Sequence, residues 1–334
     1  MKIAHINLAK GFRGGERQTA ILIEELAKLG NIQTLFVRFK NSGLKDFIET
    51  LNIPNLIIIK IGKPYIFSVF KFKNFDIVHS HETKANQLSF FIKKILKIPY
   101  IITRRVQFTP SRNIFNLAIY KNAKYLVALS SAIKNDLKKL DSTLKIRIIP
   151  SAFSEIKDLK NEKLDFGNVK IIGHIGAVVD SHKGQCTILE TAKFLKNYNF
   201  HFIFIGNGKD LERCKKISEN MGNVTFLGFK ENPQRFISNF DIFIFPSIHE
   251  GLGSTLLDVM RFGIPIIASN VGGIPDIVSD NGILINPKNS KELTENILKL
   301  DSDKQQQLIF RQKSLDKIND FSPKSMTLKY SKIY

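Results

Sequence analysis

The sequence predicts an α/β protein built from two doubly wound parallel-sheet domains. Three observations carry this. Short, almost uninterrupted apolar runs recur along the chain, helix-length amphipathic segments alternate with them, and one polar stretch divides them into two sets. Strands that are apolar throughout belong in sheets covered on both faces, and strict alternation with helices makes those sheets parallel. A chain of 334 residues fits two domains at about 100–200 residues each.

The front set of strands is KIAHINL (2–8), IQTLFVRF (32–39), NLIIIKI (55–61), DIVHSH (76–81), YIITRR (100–105), YLVALS (125–130) and IRIIPS (146–151). The back set is VKIIGHIG (169–176), FHFIFIG (200–206), VTFLGF (224–229), DIFIFPS (241–247), PIIAS (265–269) and GILINP (282–287). SEIKDLKNEKLDFG (154–167) reads as the linker, which gives a first domain over 1–153 and a second over 168–320. The tail 321–334 opens with Ser322 before Pro323, an N-cap followed by a first-turn proline, and predicts a last helix.

Several classes are excluded. No run approaches the about 18–20 apolar residues of a membrane-spanning helix, and the N-terminus lacks a signal peptide's long apolar region. Cys186 and Cys214 lack metal-ligand spacing and read as two buried, reduced thiols. The charge is uneven. Residues 1–150 carry 26 Lys and Arg against 9 Asp and Glu, a balance of +17, whereas 151–334 carry 24 against 21, or +3. Either a lysine-rich solvated surface or an anionic partner accounts for the front half.

Ligands of doubly wound sheets bind beyond the carboxyl ends of the strands. FPSIHEGLGSTLLDVMRFGIPIIAS (245–269) places an acid, Glu250, after such an end, then Gly251-Leu252-Gly253, then a helix starting at Ser254 as N-cap. Small residues and a helix N-terminus suit a diphosphate, Glu250 suits sugar hydroxyls, and Asp258 one turn later suits a ribose. A glycine turn before a surface helix explains the glycines but not the preceding acid.

E-G-L-G-S-T-L-L-D (250–258) with G-I-P-I-I-A-S (263–269) resembles the E-x7-E region of retaining family 4 glycosyltransferases of the GT-B fold. The resemblance implies two Rossmann-like domains facing across a cleft, an N-terminal acceptor domain, a C-terminal nucleotide-sugar domain, and a terminal helix crossing back. The family's second Glu is Asp258 here. GAVVDSHKG (176–184) resembles the segment that contacts donor phosphates, which gives that role to Lys183; Ala177 stands where the family commonly has Arg. GFRGGERQT (11–19) resembles the family's glycine loop, with Gly14 and Gly15 admitting donor diphosphate or acceptor, and it is not the dinucleotide pattern G-x-G-x-x-G. DIVHSHE (76–82) implies His81 beside the reacting sugar, so Glu250 and His81 form the implied catalytic set. VTFLGF implies base contacts at Phe226-Leu227-Gly228. The implied donor set is Gly15, Lys183, Phe226, Leu227, Glu250, Gly251, Leu252, Gly253, Ser254, Thr255 and Asp258.

Arg104 and Arg105 end a strand and suit an acidic or phosphorylated acceptor; surface ion pairs are the alternative. Asp301-Ser302-Asp303 is a D-x-D, but in a polar turn rather than at a strand end, so no metal is expected, and Lys183 with the helix dipole neutralises the leaving diphosphate. KPYIFSVFKFKNF (63–75) and FFIKKILKI (90–98) interleave apolar and basic residues, which suits an anionic membrane surface at about 1 kcal/mol per basic residue. Aromatic core with exposed lysines is the alternative for each.

The expected function is sugar transfer with retention from a UDP-, GDP- or ADP-linked donor to a cell-surface glycan or glycolipid of lipopolysaccharide-core or capsule type. It needs no further cofactor and no nucleic acid, and is expected in the cytoplasm at the inner membrane face. The rivals are a GT-B phosphorylase or epimerase, a non-catalytic glycan-assembly subunit, and a nucleic-acid binder, for which no motif appears.

Overall fold

The computed structural model describes residues 1–155 and 160–334, so part of the expected linker, 156–159, lies outside the described residues. The chain divides into two compact units, one of Met1–Ala152 with Ser322–Tyr334, the other of Phe153–Phe321. Each is a doubly wound α/β domain.

The first unit holds a seven-stranded parallel sheet in the order β3-β2-β1-β4-β5-β6-β7. Its strands are β1 (Lys2–Asn7), β2 (Ile32–Arg38), β3 (Leu56–Ile61), β4 (Ile77–Ser80), β5 (Tyr100–Arg104), β6 (Tyr125–Ala128) and β7 (Ile146–Ile148). Between them run α1 (Gly14–Lys28), α2 (Gly43–Thr50), a 3₁₀ segment (Tyr65–Phe72), α3 (Thr83–Leu96), α4 (Ile114–Asn122) and α5 (Ser131–Leu140). The start of α3 is set by Glu82, whose carboxylate accepts from the N–H groups of Lys84 and Ala85, both at 2.7 Å.

The second unit holds a six-stranded parallel sheet in the order β10-β9-β8-β11-β12-β13. These are β8 (Lys170–Ile175), β9 (Phe200–Ile205), β10 (Val224–Phe226), β11 (Ile242–Phe245), β12 (Ile266–Ser269) and β13 (Ile283–Ile285). The helices are α6 (Asp180–Lys183), α7 (Gln185–Phe194), α8 (Leu211–Ser218), α9 (Ser254–Arg261), α10 (Ile274–Ile277), α11 (Ser290–Ser302) and α12 (Lys304–Lys317), with 3₁₀ turns at Pro233–Asn239 and Ile318–Phe321. Phe202, Phe204, Ile188, Ile244 and Ile297 fill its core. In both sheets the strand order reverses beside the first strand, so β1 and β4, and β8 and β11, flank the crevices where ligands of such folds sit.

The last helix, α13 (Pro323–Ser331), belongs to the first unit. Ser322 caps it by accepting from Ser325 N–H at 3.2 Å. Met326, Tyr330 and Ile333 pack with Ile3, Leu22 and Ile101.

Asp301 and Ser302 form the last turn of α11, and Asp303 caps α12, accepting from Gln306 N–H. Asp301 is also ion-paired with Lys170. The D-x-D therefore sits in helix ends rather than a free turn. Both cysteines are free, but Cys186 is only partly buried where two buried thiols were expected. Burial, chiefly, pushes Cys186 up to about 12 and Cys214 to about 11, so neither is a nucleophile near neutral pH. No described helix is long and apolar enough to cross a membrane.

Candidate active site

In the second unit the loops after β8, β9, β10 and β11 are laced together. Gly176 N–H donates to Ile205 C=O, Val178 N–H to Asn207 C=O and Gly206 N–H to Gly228 C=O. Gly184 ends α6 with φ +68°, and a Cβ there would stand 2.2 Å from Pro246 O. Only glycine lets the β8 loop close on the β11 loop this way. Ile248 and His249 N–H both donate to His182 C=O, at 2.8 and 3.2 Å, which fixes the approach to Glu250.

The result is an ion pair between Lys183 and Glu250, with side chains only 21% and 16% exposed. Lys183 Nζ also lies 4.8 Å from the centroid of the Phe245 ring. Glu250 C=O accepts from Gly273 N–H at 3.3 Å. The expected cap differs from the observed one. The N-cap of α9 is Gly253 in the left-handed region, φ +84°, with no side-chain cap, and Ser254 is the first helical residue. Gly253 as N-cap has no side chain to place on the first N–H groups of the helix, and Ser254 and Thr255 stand there partly exposed.

Asp258 faces inward. It is buried, one oxygen accepting from Ser154 N–H and the other from Gln234 Nε2, each at 2.8 Å. Phe226 stacks on Phe204 with centroids 4.5 Å apart, and Leu227 N–H is bonded to Phe204 C=O. The neighbouring Phe229, 73% exposed, is an aromatic face at the end of β10 that strand patterning does not distinguish from core. Ala177 is exposed and its carbonyl is taken by Gln185 Nε2.

In the first unit the strand ends carry a buried polar chain. His5, in the middle of β1, lies in register with His79 on β4. Its Nε2 is 3.0 Å from Gln33 Oε1, and its Nδ1 is 3.1 Å from His81 Nε2. His81 Nδ1 is 3.3 Å from an Arg105 terminal nitrogen. His79 bonds Tyr334 Oη at 2.6 Å and Thr103 Oγ1 at 2.7 Å, and Thr103 bonds Tyr330. Burial holds His5 down at about 4 and keeps His79 and His81 well below the usual imidazole range, so the trio is neutral. The three rings come close enough for one ion, but each ring nitrogen already has a hydrogen-bond partner. The adjacent arginines diverge. Arg104 is spent on Tyr120 Oη and Phe108 C=O, whereas Arg105 turns toward Gly15 and Thr19.

The glycosyl transferases group 1 model matches residues 155–316, and the glycosyltransferase family 4 model matches residues 12–154. The chain belongs to the family 4 glycosyltransferases. It is 25% identical over 363 aligned residues to the O-antigen biosynthesis glycosyltransferase WclY of Escherichia coli, covering 100% of this chain and 98% of that one. It is 24% identical over 344 residues to a Campylobacter jejuni N,N'-diacetylbacillosaminyl-diphospho-undecaprenol alpha-1,3-N-acetylgalactosaminyltransferase, covering 93% and 87%. Anabaena Alr3699/HepE in complex with UDP superposes with a TM-score of 0.87 at 17% identity, covering 99% of both chains. This glycosyltransferase therefore has the GT-B fold.

Proposed function

We propose that the protein transfers a sugar, with retention, from a nucleotide sugar to a hydroxyl of a membrane-linked cell-surface glycan. The observation that carries this is the Lys183–Glu250 pair beside the glycine-capped N-terminus of α9. In this reading the donor diphosphate sits on the first N–H groups of α9 and on Lys183, which neutralise it as it leaves. Glu250 then turns to the sugar, whose anomeric carbon takes the acceptor oxygen on the face the diphosphate departs from. The base rests near Phe226 and Leu227, and ribose hydroxyls reach Asp258 by sharing or displacing its bonds to Ser154 and Gln234. Each of these groups is the protein's own, so the charge of the leaving group is met without a metal ion.

The names of the relatives support the acceptor class, since they act in O-antigen assembly or on a diphospho-undecaprenol glycan. The surface of the first unit supports work at an anionic membrane. Phe67, Phe70 and Ile114 stand exposed, Lys63, Lys71 and Lys73 are exposed close to the two phenylalanines in sequence, Lys94 is exposed on α3, and α3 packs against both the Tyr65–Phe72 segment and α4. The 90–98 segment contributes less, because Phe90, Ile92 and Ile98 are core. A thermal-shift screen over UDP, GDP, ADP and their sugars tests the donor assignment. A nucleotide that stabilises the wild type but not Lys183→Gln supports it, and no response to any nucleotide sinks it.

A further inference from the structure

Arg105 is a second cationic centre, built into the first unit. It leaves the end of β5 and lies across the N-terminus of α1, its Cδ 3.1 Å from where a Gly15 Cβ would stand. One terminal nitrogen is 3.2 Å from Thr19 Oγ1 and 3.3 Å from His81 Nδ1. Among the described residues its buried Nε has no partner, and the acid that acts on it, Glu16 in the first turn of α1, accepts from Arg13 N–H instead of pairing with the guanidinium. Burial still penalises the charge of Arg105 more than Glu16 favours it, and an anion bound directly to the guanidinium would offset that cost.

The chain beneath fixes the orientation of this group. Gln33 Nε2 donates to Ile23 C=O at 2.8 Å, so Oε1 faces His5 and accepts from its Nε2–H. His5 Nδ1 then carries no proton and accepts from His81 Nε2–H. That leaves the lone pair of His81 Nδ1 for Arg105. Both ring nitrogens of His81 are thus committed, and His81 positions Arg105 through its Nδ1.

Resting on the proposed function, we infer that Arg105, with the first N–H groups of α1, binds a phosphate carried by the acceptor. A guanidinium fork beside an N-terminal helix turn matches phosphate oxygens in geometry and charge. The second unit has its own diphosphate candidate in Lys183 and α9, so the site on the first unit is assigned to the other substrate.

Calorimetric titration of the full chain tests this, with farnesyl diphosphate, farnesol, UDP, GDP and ADP as probes. Arg105→Gln is expected to weaken farnesyl diphosphate binding about tenfold or more while leaving nucleotide affinity within about twofold, and Lys183→Gln to do the reverse. Arg105→Lys should recover part of the loss. Gly15→Ala gives an independent arm, because its methyl group displaces Arg105 while suiting a helix; about threefold weaker binding is expected. Equal loss of nucleotide and farnesyl diphosphate in Arg105→Gln would assign the site to the donor and overturn the inference, as would farnesol binding as well as its diphosphate. Diphosphate binding indifferent to Arg105 sinks the phosphate site alone. Nucleotide binding indifferent to Lys183 sinks the donor reading alone.

Discussion

Lys183 and Glu250 are ion-paired across the loops that follow β8 and β11, 67 residues apart in sequence. In the proposed reading each is the other's competitor for substrate: a diphosphate arriving at α9 would draw Lys183 away and so free Glu250 for the sugar. Lys183→Met should therefore weaken nucleotide diphosphate binding by about 10–100-fold, the worth of one charge-assisted contact. Glu250→Gln should keep or tighten nucleotide binding while transfer falls by about a hundredfold or more. Calorimetry with UDP, GDP and ADP beside a radiolabelled-sugar transfer assay separates the two effects. Full transfer in Glu250→Gln contradicts the assignment.

Gly184 holds this arrangement through its backbone. An alanine there meets Pro246 O at 2.2 Å in a left-handed conformation, φ +68°. Gly184→Ala should lower stability by about 2 kcal/mol or more. Gly222, with open space around its Cβ position, is the control, and Gly222→Ala should melt within about a degree of wild type. Differential scanning calorimetry on both variants decides it; equal melting temperatures remove Gly184 from its structural role.

The frame, and the Glu250 loop of the candidate site as a feature at a strand end, were legible in the sequence because both depend on local pattern. β-branched and aromatic runs marked each strand, and Glu250 with its glycines marked a candidate ligand loop at a strand end. The cap of α9 was misread because serine is the better side-chain cap, whereas the turn here needs a left-handed residue and takes Gly253. Of the polar chain of the first unit, His81 and Arg105 were singled out in the sequence, but the links that join them to His5 and Gln33 were not legible. His5 bonds Gln33 and His81, 28 and 76 residues away, and no spacing rule links them. The available signal was His5, Gln33 and His79 inside strands that are mostly apolar. Arg104 and Arg105 were indistinguishable as neighbours, and only folding gives one to Tyr120 and the other to α1.

The neutral trio makes stability depend on pH. His5 titrates at about 4 when folded against 6.5 ordinarily, and His79 and His81 are held well below 6.5. As pH falls below 6.5, the unfolded chain takes up protons first. Stability is complete above that pH and declines toward 4, by about 1.4 kcal/mol per pH unit for each histidine. Thermal melts between pH 7.5 and 5 should slope downward in wild type. The slope should be shallower in His5→Asn, and a flat profile in wild type contradicts a buried neutral trio.

Phe67 and Phe70 are 80% and 62% exposed, in a segment flanked by Lys63, Lys71 and Lys73. Phe67→Ser with Phe70→Ser should leave the fold intact and reduce partitioning to anionic vesicles by about tenfold or more. Flotation with neutral and anionic liposomes at low salt measures this. Equal partitioning of wild type to both vesicle types removes the membrane reading.

Asp258 separates a structural from a ligand-binding role for the second acid of the loop-helix segment. Its two oxygens receive Ser154 N–H and Gln234 Nε2 at 2.8 Å each, so Asp258→Ala strands two buried donors. A loss of about 1–3 kcal/mol per stranded group is expected. Asp258→Asn should be far milder. Among the described residues Gln234 Oε1 has no partner, so a flip of its amide offers an acceptor to the new side-chain N–H, while the remaining side-chain oxygen still accepts from Ser154. Urea unfolding should therefore rank Asp258→Ala well below Asp258→Asn, and the latter near wild type. Nucleotide affinity measured on Asp258→Asn then isolates the ribose contact. A several-fold loss against an unchanged unfolding midpoint means Asp258 serves the ribose as well as Ser154, whereas unchanged affinity confines it to holding the chain at Ser154.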